Sequence, residues 1–556
     1  MNFAEHIKKI VQHKVFQWWG VCFGISLLLY WRTVLFGFFS DDFHLLHVFS
    51  KNSNIFSYFL TNIIGERGGG SYGPVYNALF IFLHSIFGMH TWGYHLFMIL
   101  VHSVNGMLVY LFARQLFHDK YIALFSSLCF LLFQSHTSSI TWVSTIPHVV
   151  TTMCILVTIV SYTFFITGKK RMWYTSAVIL YFLALFSKEI AITTPIFLVI
   201  LDIVFSPRET YWQTVRRLVK RMFPFVLLTL VYLFLRRYTT HIVAGYYGSS
   251  GFQFDVLLLV KHFFETIVHT VVPASLRLPI MYRIGFHIGI VLFIAAIVFG
   301  IKIKLSRHKK EYIALVSLYL IASLPFLQVM FHPVNDANER YTYLLSAFLS
   351  IIIVYSLFLL LQKFRYGRHV AISILILFFC TQIVFGQIKQ RSWIVADKAV
   401  SGIIASTGHI DARNAYIVFI GLPDNIDGAE VFRNAIKEGI DLSTDRGYVA
   451  GERIPIYVAP SSETALGDLV TVNKLSPMSF RFTATDKHVP RIFTGFPVFN
   501  SDIGTFTMEQ PKFPEHSGMA IQVDLYPEAI ERLQNEGKKV LIAYYNQGGL
   551  QIIPIE

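Results

Sequence analysis

The strongest constraint on the fold is a series of long apolar segments that are separated by short loops. A helix of about twenty apolar residues crosses the hydrocarbon core of a bilayer, and by that criterion we predict about eleven transmembrane helices. They cover residues 16–39, 92–117, 121–134, 147–167, 173–187, 190–205, 222–238, 284–303, 311–331, 342–362 and 369–387. Since 54% of the residues are hydrophobic and only 14% are charged, we expect an α-helical polytopic membrane protein.

The basic residues lie in short clusters between these segments, and their positions predict the orientation of the chain. The clusters are at 6–14, 113–120, 168–171, 216–221, 302–310 and 363–368. With eleven spans and the N-terminus inside, every cluster falls on the cytoplasmic side, as the positive-inside rule requires. Topology therefore accounts for the net charge of +14, and we expect the chain to bind a lipid bilayer and no nucleic acid. The first segment has no small-residue cleavage site and is interpreted as an uncleaved helix.

Four stretches of the membrane part are predicted to lie on the outer side without crossing. The first outer loop, 40–91, opens with the amphipathic sequence DDFHLLHVF, which is typical of an interfacial helix, and its apolar run 75–88 is short for a span. Segment 256–272 is interrupted by charged residues and histidines, so we predict a second interfacial helix there. The outer loops 133–148 and 331–341 are polar.

The composition changes after about residue 388, where apolar runs shorten and turn residues appear. Residues 414–424 are predicted to form a buried strand and a turn, and residues 428–443 an amphipathic helix. Residues 540–555 are predicted to form a hairpin with the sequence NQGG at its turn. These patterns indicate a compact soluble α/β domain.

We therefore divide the chain into two domains. Residues 1–387 form the transmembrane domain, with the interfacial helices of loop 40–91, and residues 388–556 form an extracytoplasmic α/β domain. The four cysteines lie in apolar runs and are expected to be small buried hydrophobes rather than a disulfide framework.

Two adjacent carboxylates, Asp41 and Asp42, follow directly on the first span at the predicted outer surface. Neighbouring side chains do not share a face of a helix, so the two can have different roles. One can act as a general base toward a hydroxyl group, while the other orients the acceptor or holds a divalent cation, Mg²⁺ or Mn²⁺. The alternative is a helix N-cap, in which Ser40 or Asp41 caps a helix that begins at residue 42. The sequence leaves both interpretations open, and we expect no other cofactor.

Two further outer stretches carry charged residues that topology does not explain. Lys188 and Glu189 lie between two apolar runs, where Lys188 can meet a lipid phosphate as a point charge. Glu339 and Arg340 lie in the sequence NERYTYL, and Arg340 offers a fork that binds phosphate through two hydrogen bonds. The alternatives are a plain hairpin end for the first pair and an interfacial Arg–Tyr anchor for the second.

The outer loop 133–148 adds an aromatic residue and a histidine, Trp142 and His148, to the candidate substrate-binding residues. For His148, packing at the membrane interface is the alternative. None of the outer histidines shows the spacing of a metal-ligand set, so the identity of any metal site stays open.

In their order and spacing, these stretches resemble the GT-C superfamily of membrane glycosyltransferases, which use lipid-linked sugar donors. The resemblance rests on GFFSDDFHLL (37–46), on residues 72–117, on ALFSKEIAITTPIFLVILD (184–202) and on NERYTYLLSAFL (338–349). The chain is most similar to the protein O-mannosyltransferase-like branch, which includes the transmembrane–tetratricopeptide O-mannosyltransferases and their bacterial relatives. It has no tetratricopeptide repeats after the membrane part.

The resemblance implies an inverting transfer of a sugar from a polyprenyl-phosphate donor to a hydroxyl acceptor (a protein, lipid or glycan) at the outer face of a bacterial-type inner membrane. Asp41 would be the base and Asp42 its supporting partner, while Lys188 and Arg340 would neutralise the leaving lipid phosphate. Related sequences often carry a Trp–x–x–Gly–Arg pattern in the second outer loop. This chain keeps Trp142 but lacks the Arg, so the sugar and the acceptor stay open.

Three other functions fit parts of the sequence. A membrane polysaccharide polymerase or ligase shares the substrate class, but it usually works through basic residues in a long late outer loop. A transporter of lipid-linked sugars would place acidic groups near the membrane midplane, whereas the predicted span centres are nearly free of ionisable groups. A receptor-like scaffold would act through its C-terminal domain, and the identity of residue 41 would then not affect any activity.

Overall fold

The computed structural model describes most of the chain. The described residues are 3–68, 70–168, 170–207, 209–242, 255–272, 308–327, 338–409, 414–444, 450–454, 456–458, 460–485, 492–494, 498–509, 517–518 and 520–555. The predicted span 284–303, most of the predicted outer loop 331–341 and the beginning of the basic cluster 302–310 lie outside them.

The chain folds into two compact units. The first comprises Met1–Leu35 and Asn52–Lys389, and the second comprises Phe36–Lys51 and Gln390–Glu556. The segment Phe36–Lys51 therefore folds with the C-terminal residues, although it follows the first apolar segment directly in the sequence.

Helices dominate the first unit. In chain order the described helices are α1 (Phe3–Tyr30), α2 (Asp41–Lys51), α3 (Pro74–Phe87), α4 (Thr91–Phe117), α5 (Lys120–Leu132), α6 (His136–Thr141), α7 (Ile146–Gly168), α8 (Arg171–Leu185), α9 (Thr194–Phe205), α10 (Tyr211–Thr240), α11 (Val256–Val271), α12 (Lys309–Ser323), α13 (Tyr343–Leu361), α14 (Gly367–Ser406), α15 (Ile436–Thr444) and α16 (Pro527–Asn535). Helices α2, α15 and α16 belong to the second unit, and α14 continues into it from the first.

Six helical stretches are long and apolar enough to cross a membrane, by length and composition, among the residues that the structure describes. They are Val15–Leu35, Thr91–Phe117, Val143–Gly168, Tyr211–Thr240, Glu339–Leu361 and Gly367–Ser406. Helices α3, α5 and α8 are apolar but shorter. The mostly helical architecture is confirmed, and the number of eleven spans stays a prediction.

Two predicted spans end at different places in the structure. The first helix ends at Tyr30 and tightens into a 3-10 turn over Trp31–Leu35. The last predicted span continues as a helix to Ser406 instead of ending near residue 387. Hydropathy falls after residue 387, but no proline interrupts the helical pattern there, so the helix outlasts its apolar section.

Local sequence signals explain several helix starts. The Asp119 carboxylate accepts hydrogen bonds from the backbone N–H groups of Tyr121 and Ile122 at the start of α5, at 2.7 and 3.2 Å. Thr210 and Gln213 form a capping box at the start of α10. These caps satisfy backbone donors that a helix leaves without partners in its first turn.

The cysteine prediction is correct at three positions and wrong at the fourth. Cys22, Cys129 and Cys154 are buried, and all four cysteines are free thiols. Cys380 is exposed. It lies on α14, where the side chain of Leu377 is 68% exposed. The apolar run of α14 therefore faces outward at these positions and does not belong to the core.

The predicted polar loop 133–148 folds into the interior of the first unit. It forms the short helix α6 and a 3-10 turn over Val143–Thr145, and nearly all of its side chains are buried. Two of its hydroxyl groups bond to nearby backbone carbonyls; Thr137 donates to Gln134 at 2.9 Å, and Thr145 donates to Ser139 at 2.8 Å. Such local bonds let a polar sequence be buried.

The second unit is rich in β-structure. Its described strands are β1 (Ala415–Ile420), β2 (Leu422–Pro423), β3 (Asn425–Ile426), β4 (Ala429–Glu430), β5 (Ala450–Arg453), β6 (Ile456–Val458), β7 (Val470–Ser476), β8 (Ser479–Ala484), β9 (Ile492–Thr494), β10 (Val498–Asn500), β11 (Gly504–Glu509), β12 (Ser517–Gly518), β13 (Ala520–Leu525), β14 (Lys539–Asn546) and β15 (Gly549–Pro554). One sheet has the order β15-β14-β1-β5, with β1 parallel to β14 and β5, and a five-stranded antiparallel sheet has the order β10-β11-β13-β8-β7. A third sheet has the order β12-β9-β6-β2.

Two of the three patterns predicted in this unit are confirmed. Residues 414–424 contain the buried strand β1, and residues 540–555 form the antiparallel hairpin β14–β15, in which Asn546 pairs with Gly549. The predicted helix 428–443 is wrong in its first half, because β3 and β4 form a hairpin there and α15 begins only at Ile436. Asp427 and Gly428 both have positive φ, and an Asp-Gly turn of this kind favours a hairpin.

Candidate functional site

Asp41 and Asp42 lie at the start of α2 in the second unit. The residue before them, Ser40, has a φ of 44° and is held by segment 431–434 of the same unit. Its N–H donates to the carbonyl of Val431 at 2.9 Å, and its hydroxyl oxygen accepts from the N–H of Asn434 at 3.3 Å. The start of α2 is therefore fixed by a segment that lies about 390 residues further along the sequence.

The Asp42 side chain has a capping role. It is fully buried, and its Oδ2 accepts a hydrogen bond of 3.0 Å from the backbone N–H of Phe39. The neighbouring rings reinforce this end of the helix, because Phe43 stacks on Phe432 with 5.6 Å between ring centres. Asp42 therefore closes the first turn of the helix, whereas the capping alternative predicted from the sequence gave that role to Ser40 or Asp41 in a helix beginning at residue 42.

The Asp41 side chain is half-buried and has a different environment. Its Oδ1 accepts a hydrogen bond of 2.9 Å from the side-chain amide of Asn434. A second carboxylate, Asp424, lies near enough for the charge of Asp41 to act on it. Burial, the largest cause, raises the pKa of Asp424, and the negative charge of Asp41 raises it further, while Arg433 and Arg453 oppose the shift. Asp41 therefore lies in a small polar region that contains groups of both charge signs.

Asp424 and Asn434 were not predicted as site residues from the sequence. Asp424 comes shortly after the buried parallel strand β1, and a carboxylate at the end of such a strand is a recognisable signal. Asn434 carries no comparable signal, because its contact with Asp41 depends on the fold alone.

Two contacts between a histidine and a carboxylate connect α2 to α15 within the second unit. His44 Nδ1 lies 3.3 Å from Glu438 Oε1, and His47 Nδ1 lies 3.3 Å from Asp441 Oδ2. Burial acts to raise the pKa of Glu438, but the hydrogen bond and charge of His44 outweigh it, so the pKa lies below its usual value. The pKa of His47 is lowered, mainly by burial and also by the positive charge of Lys51. The negative charge of Asp441 opposes this shift.

The remaining candidate residues belong to the first unit, and Trp142, His148 and Arg340 lie together there. The guanidinium carbon of Arg340 lies 4.9 Å from the centre of the Trp142 ring and 5.1 Å from that of Tyr341. The His148 ring meets the Tyr341 ring edge-on, at 5.1 Å between centres. We call these four residues the aromatic cluster.

Lys188 and Glu189 are electrostatic neighbours of this cluster. The positive charges of Lys188 and Arg340 both act on His148. Glu189 lies at the start of a 3-10 turn, and its Oε2 is 3.8 Å from Nη1 of Arg236, which is 9% exposed. Lys188 and Arg340 thus bring two positive charges close to His148, and Arg236 brings a third close to Glu189.

Glu339 has a structural environment unlike that of its neighbour Arg340. Its side chain is fully buried, and Lys389 Nζ donates a hydrogen bond to Oε2. His269 Nδ1 lies 3.7 Å from Oε1. A buried carboxylate needs such compensation, so these partners explain how Glu339 is tolerated there. No sequence pattern indicates this pair, because Lys389 lies beyond the last predicted span.

The described residues contain no group of three or more Asp, Glu, His or Cys side chains that could hold a metal ion. Asp41 and Asp42 were the candidate metal ligands predicted from the sequence. They differ in their availability to a metal ion, because one oxygen of Asp42 already accepts a hydrogen bond from the Phe39 N–H. The divalent cation considered above therefore stays a prediction without a defined ligand set in the described part of the chain.

Comparison with known proteins gives matches to solved structures only. No protein-family model matches the sequence, and no curated protein matches it. The chain is similar to the oligosaccharyltransferase of Archaeoglobus fulgidus in complex with Zn and sulfate, with 12% identity and a TM-score of 0.43 over 78% of this chain. The match spans 62% of the length of that enzyme.

Two further solved structures show a likeness of the same order. The archaeal oligosaccharyltransferase AglB from Archaeoglobus fulgidus, in complex with an inhibitory peptide and a dolichol-phosphate, matches 87% of this chain and 76% of its own, with 11% identity and a TM-score of 0.40. ArnT from Cupriavidus metallidurans in the apo state matches 78% of this chain and 86% of its own, with 10% identity and a TM-score of 0.42.

Proposed function

We propose that the chain is a membrane glycosyltransferase of the GT-C type, closest to the protein O-mannosyltransferase-like branch. It transfers a sugar from a polyprenyl-phosphate donor to a hydroxyl acceptor at the outer face of a bacterial-type inner membrane. The observation that carries the proposal is the grouping of Lys188 with the aromatic cluster, which includes Arg340. Cations beside aromatic rings are suited to a sugar phosphate, because the cations bind phosphate and the rings pack against apolar ring faces.

Arg340 and Lys188 act on the donor phosphate in this proposal. A guanidinium that stacks over an aromatic ring presents its N–H groups in its own plane, where two phosphate oxygens can accept them. Lys188 adds a point charge. As the bond between sugar and phosphate breaks, negative charge grows on the leaving lipid phosphate, and fixed cations stabilise that charge. Trp142 and His148 orient the sugar, while Glu189 and Glu339 hold the neighbouring cations in place.

Asp41 acts as the general base. It takes the proton from the acceptor hydroxyl as the oxygen attacks the anomeric carbon, and the sugar is transferred with inversion while the polyprenyl phosphate leaves. Its amide neighbour Asn434 orients one carboxylate oxygen, which supports this role. Asp42 supports the base indirectly, because it caps the helix on which Asp41 lies.

A reconstituted assay tests the proposal. Purified protein in lipid vesicles is given a polyprenyl-phosphate sugar and a mixture of hydroxyl acceptors, and the release of polyprenyl phosphate is followed by mass spectrometry. Comparison of envelope glycans from cells with and without the gene then names the sugar and the acceptor. The proposal predicts one missing sugar linkage in those cells; an unchanged set of linkages together with no release in vitro would contradict it.

The proposed orientation has its own test. With the N-terminus inside and residues 388–556 outside, reporter fusions at Lys309 and at Gly402 report opposite compartments. The same compartment for both fusions would remove the proposed topology, and with it the outer location of the reaction.

A further inference from the structure

A second polar site lies at the opposite end of the first unit from Glu189. Helix α10 connects the two places, since Arg236 contacts Glu189 and Arg221 contacts Asp202 in the last turn of α9. Arg221 and Arg236 are 15 positions apart in the sequence, which corresponds to about 22 Å along a helix axis. The second site is therefore separate from the aromatic cluster and is independent of the proposed function.

A fully buried carboxylate organises this site. Asp202 Oδ1 accepts hydrogen bonds from Arg217 Nε at 2.9 Å and from the Ser206 hydroxyl at 3.0 Å. Its Oδ2 accepts from Arg221 Nη1 and from the Tyr162 hydroxyl, both at 2.7 Å. A carboxylate with four donors is well satisfied even when buried, and it fixes both guanidinium groups in one geometry.

Next to these guanidinium groups is an open cleft of about 740 Å³. Its walls include the four cations Arg216, Arg217, Lys220 and Arg221 and the aromatic rings of Phe165 and Tyr174. The Arg221 guanidinium carbon lies 5.1 Å from the centre of the Phe165 ring, and the Tyr174 hydroxyl donates to the Arg221 carbonyl at 2.7 Å. The cleft therefore has a fixed cationic wall with aromatic sides.

The cleft carries an excess of positive charge. Four cations face the two carboxylates of Asp202 and Glu209, and both of these carboxylates pair with Arg217. Arg216 and Lys220 are exposed, and within the described part of the chain no carboxylate pairs with either of them. Two cations are thus available beside a rigid pair of guanidinium groups, an arrangement that suits a phosphate group.

The exposed face of α10 continues from these cations as an apolar strip. Residues 216, 220, 223, 227, 230 and 234 follow one another at intervals of four and three, so they share one face of the helix. After the two cations come Phe223, Leu227, Leu230 and Phe234, whose side chains are 64%, 48%, 59% and 71% exposed. A cationic end followed by an exposed apolar strip matches an amphiphile with an anionic head and hydrocarbon chains.

The positive-inside rule is sufficient to explain why basic residues lie at this end of α10. It does not explain why a buried carboxylate holds two of them in a fixed geometry. Topology requires only charge near a membrane boundary, whereas Asp202 is a buried carboxylate that orients two of the four cations. Basic pockets between transmembrane helices bind the head groups of anionic lipids. We propose that this cleft binds the phosphate head group of an anionic phospholipid, whose acyl chains lie along the apolar strip of α10.

Native mass spectrometry of the full-length protein in detergent micelles tests the proposal. The probes are long-chain phosphatidylglycerol, zwitterionic phosphatidylcholine, short-chain dihexanoyl phosphatidylglycerol and inorganic phosphate. The variant is Arg216→Gln with Lys220→Gln, which alters exposed side chains and leaves the Asp202 hydrogen bonds intact. The matched control is Lys309→Gln with Lys310→Gln, which removes the same charge from exposed positions that do not line the cleft.

The wild type is expected to bind long-chain phosphatidylglycerol in preference to phosphatidylcholine. The cleft variant is expected to bind long-chain phosphatidylglycerol at least about tenfold more weakly than the wild type does. The control should bind it like the wild type. Equal weakening in both variants, or weakening in neither, would overturn the proposal. If the short-chain lipid binds as tightly as the long-chain lipid, or if millimolar phosphate displaces the long-chain lipid, the cleft is a site for free phosphate and the lipid assignment is wrong.

Discussion

The carboxylate of Asp41 accepts a hydrogen bond of 2.9 Å from the side-chain amide of Asn434, which fixes one of its two oxygens. A carboxylate has about four acceptor sites, and one amide hydrogen bond fills only one of them. Asp41 can therefore be held in place by Asn434 while it remains a proton acceptor. Asp42, one residue further on, is buried and is engaged in capping.

The different environments of the two carboxylates predict different effects on stability. Asp42→Ala should lower the free energy of unfolding of the protein by about 1 kcal/mol or more, since it removes a cap and leaves the Phe39 N–H without its acceptor. Asp42→Asn keeps an oxygen in that position and should therefore lower the free energy of unfolding by less than Asp42→Ala does. Thermal unfolding of the purified variants measures both, and equal stability of Asp42→Ala and wild type would contradict the capping role.

Removal of the Arg340 side chain should weaken donor binding far more than it weakens folding. Arg340→Ala takes away two charge-assisted hydrogen bonds to phosphate, so the apparent affinity for the lipid donor should fall about tenfold or more. Arg340→Lys should restore only part of it, because an ammonium group cannot bind phosphate as a fork.

Trp142→Phe is the matched control for Arg340, since it keeps an aromatic ring under the guanidinium group. It should change donor affinity less than Arg340→Ala does. Normal donor affinity in Arg340→Ala would show that Arg340 is an interfacial anchor and does not bind the donor.

The buried pair Glu339–Lys389 should show strong energetic coupling. Lys389→Met alone leaves a buried carboxylate without its cation and should cost about 3 kcal/mol or more of stability. The double variant Glu339→Gln with Lys389→Met removes the uncompensated charge as well and should be more stable than Lys389→Met. A double-mutant cycle from thermal unfolding gives the coupling, and additive effects of the two changes would contradict it.

Acid should loosen the contact between α2 and α15. The folded pKa values of Glu438 and His47 both lie below their ordinary values, so each group stabilises the fold above its unfolded pKa, and that contribution is lost as the pH falls through the folded value. For His47 the loss begins as the pH falls below its ordinary value near 6.5. For Glu438 it begins below its ordinary value of 4.5.

Hydrogen exchange of the α2 backbone amides as a function of pH measures this effect. Protection should decrease from pH 7 toward pH 4 in the wild type. Glu438→Gln should remove the part of the decrease that occurs below pH 4.5. Protection that stays constant or rises as the pH falls would contradict the sign of the effect.

Local chemistry explains which parts of the fold could be predicted from the sequence. The hairpin β14–β15 was predictable because its turn residues Gln547 and Gly548 lie between two apolar runs and both adopt positive φ. The long apolar helices were predictable from length alone. The extent of α14 was not, since hydropathy marks where a helix can enter lipid and not where its hydrogen bonding ends.

The candidate site could be predicted only in part, for a related reason. Lys188, Trp142, His148 and Arg340 were conspicuous because they are polar or aromatic residues next to apolar runs, and the structure places them close to one another. The partners Asn434 and Lys389 were missed, because they lie about 390 and 50 residues from Asp41 and Glu339 in the sequence. No local pattern indicates a contact of that kind.

The proposed role of Asp41 as the general base is tested most directly by the Asp41→Asn variant. The measurement is the rate of sugar transfer by this purified variant with a purified polyprenyl-phosphate sugar. Asparagine keeps the size and the hydrogen-bonding shape of the side chain but cannot take a proton from a hydroxyl. We expect transfer to be abolished while donor binding and thermal stability stay near wild type, with Asp502→Asn, an exposed carboxylate of the same unit, fully active as the control. Near-normal turnover in Asp41→Asn would contradict the account.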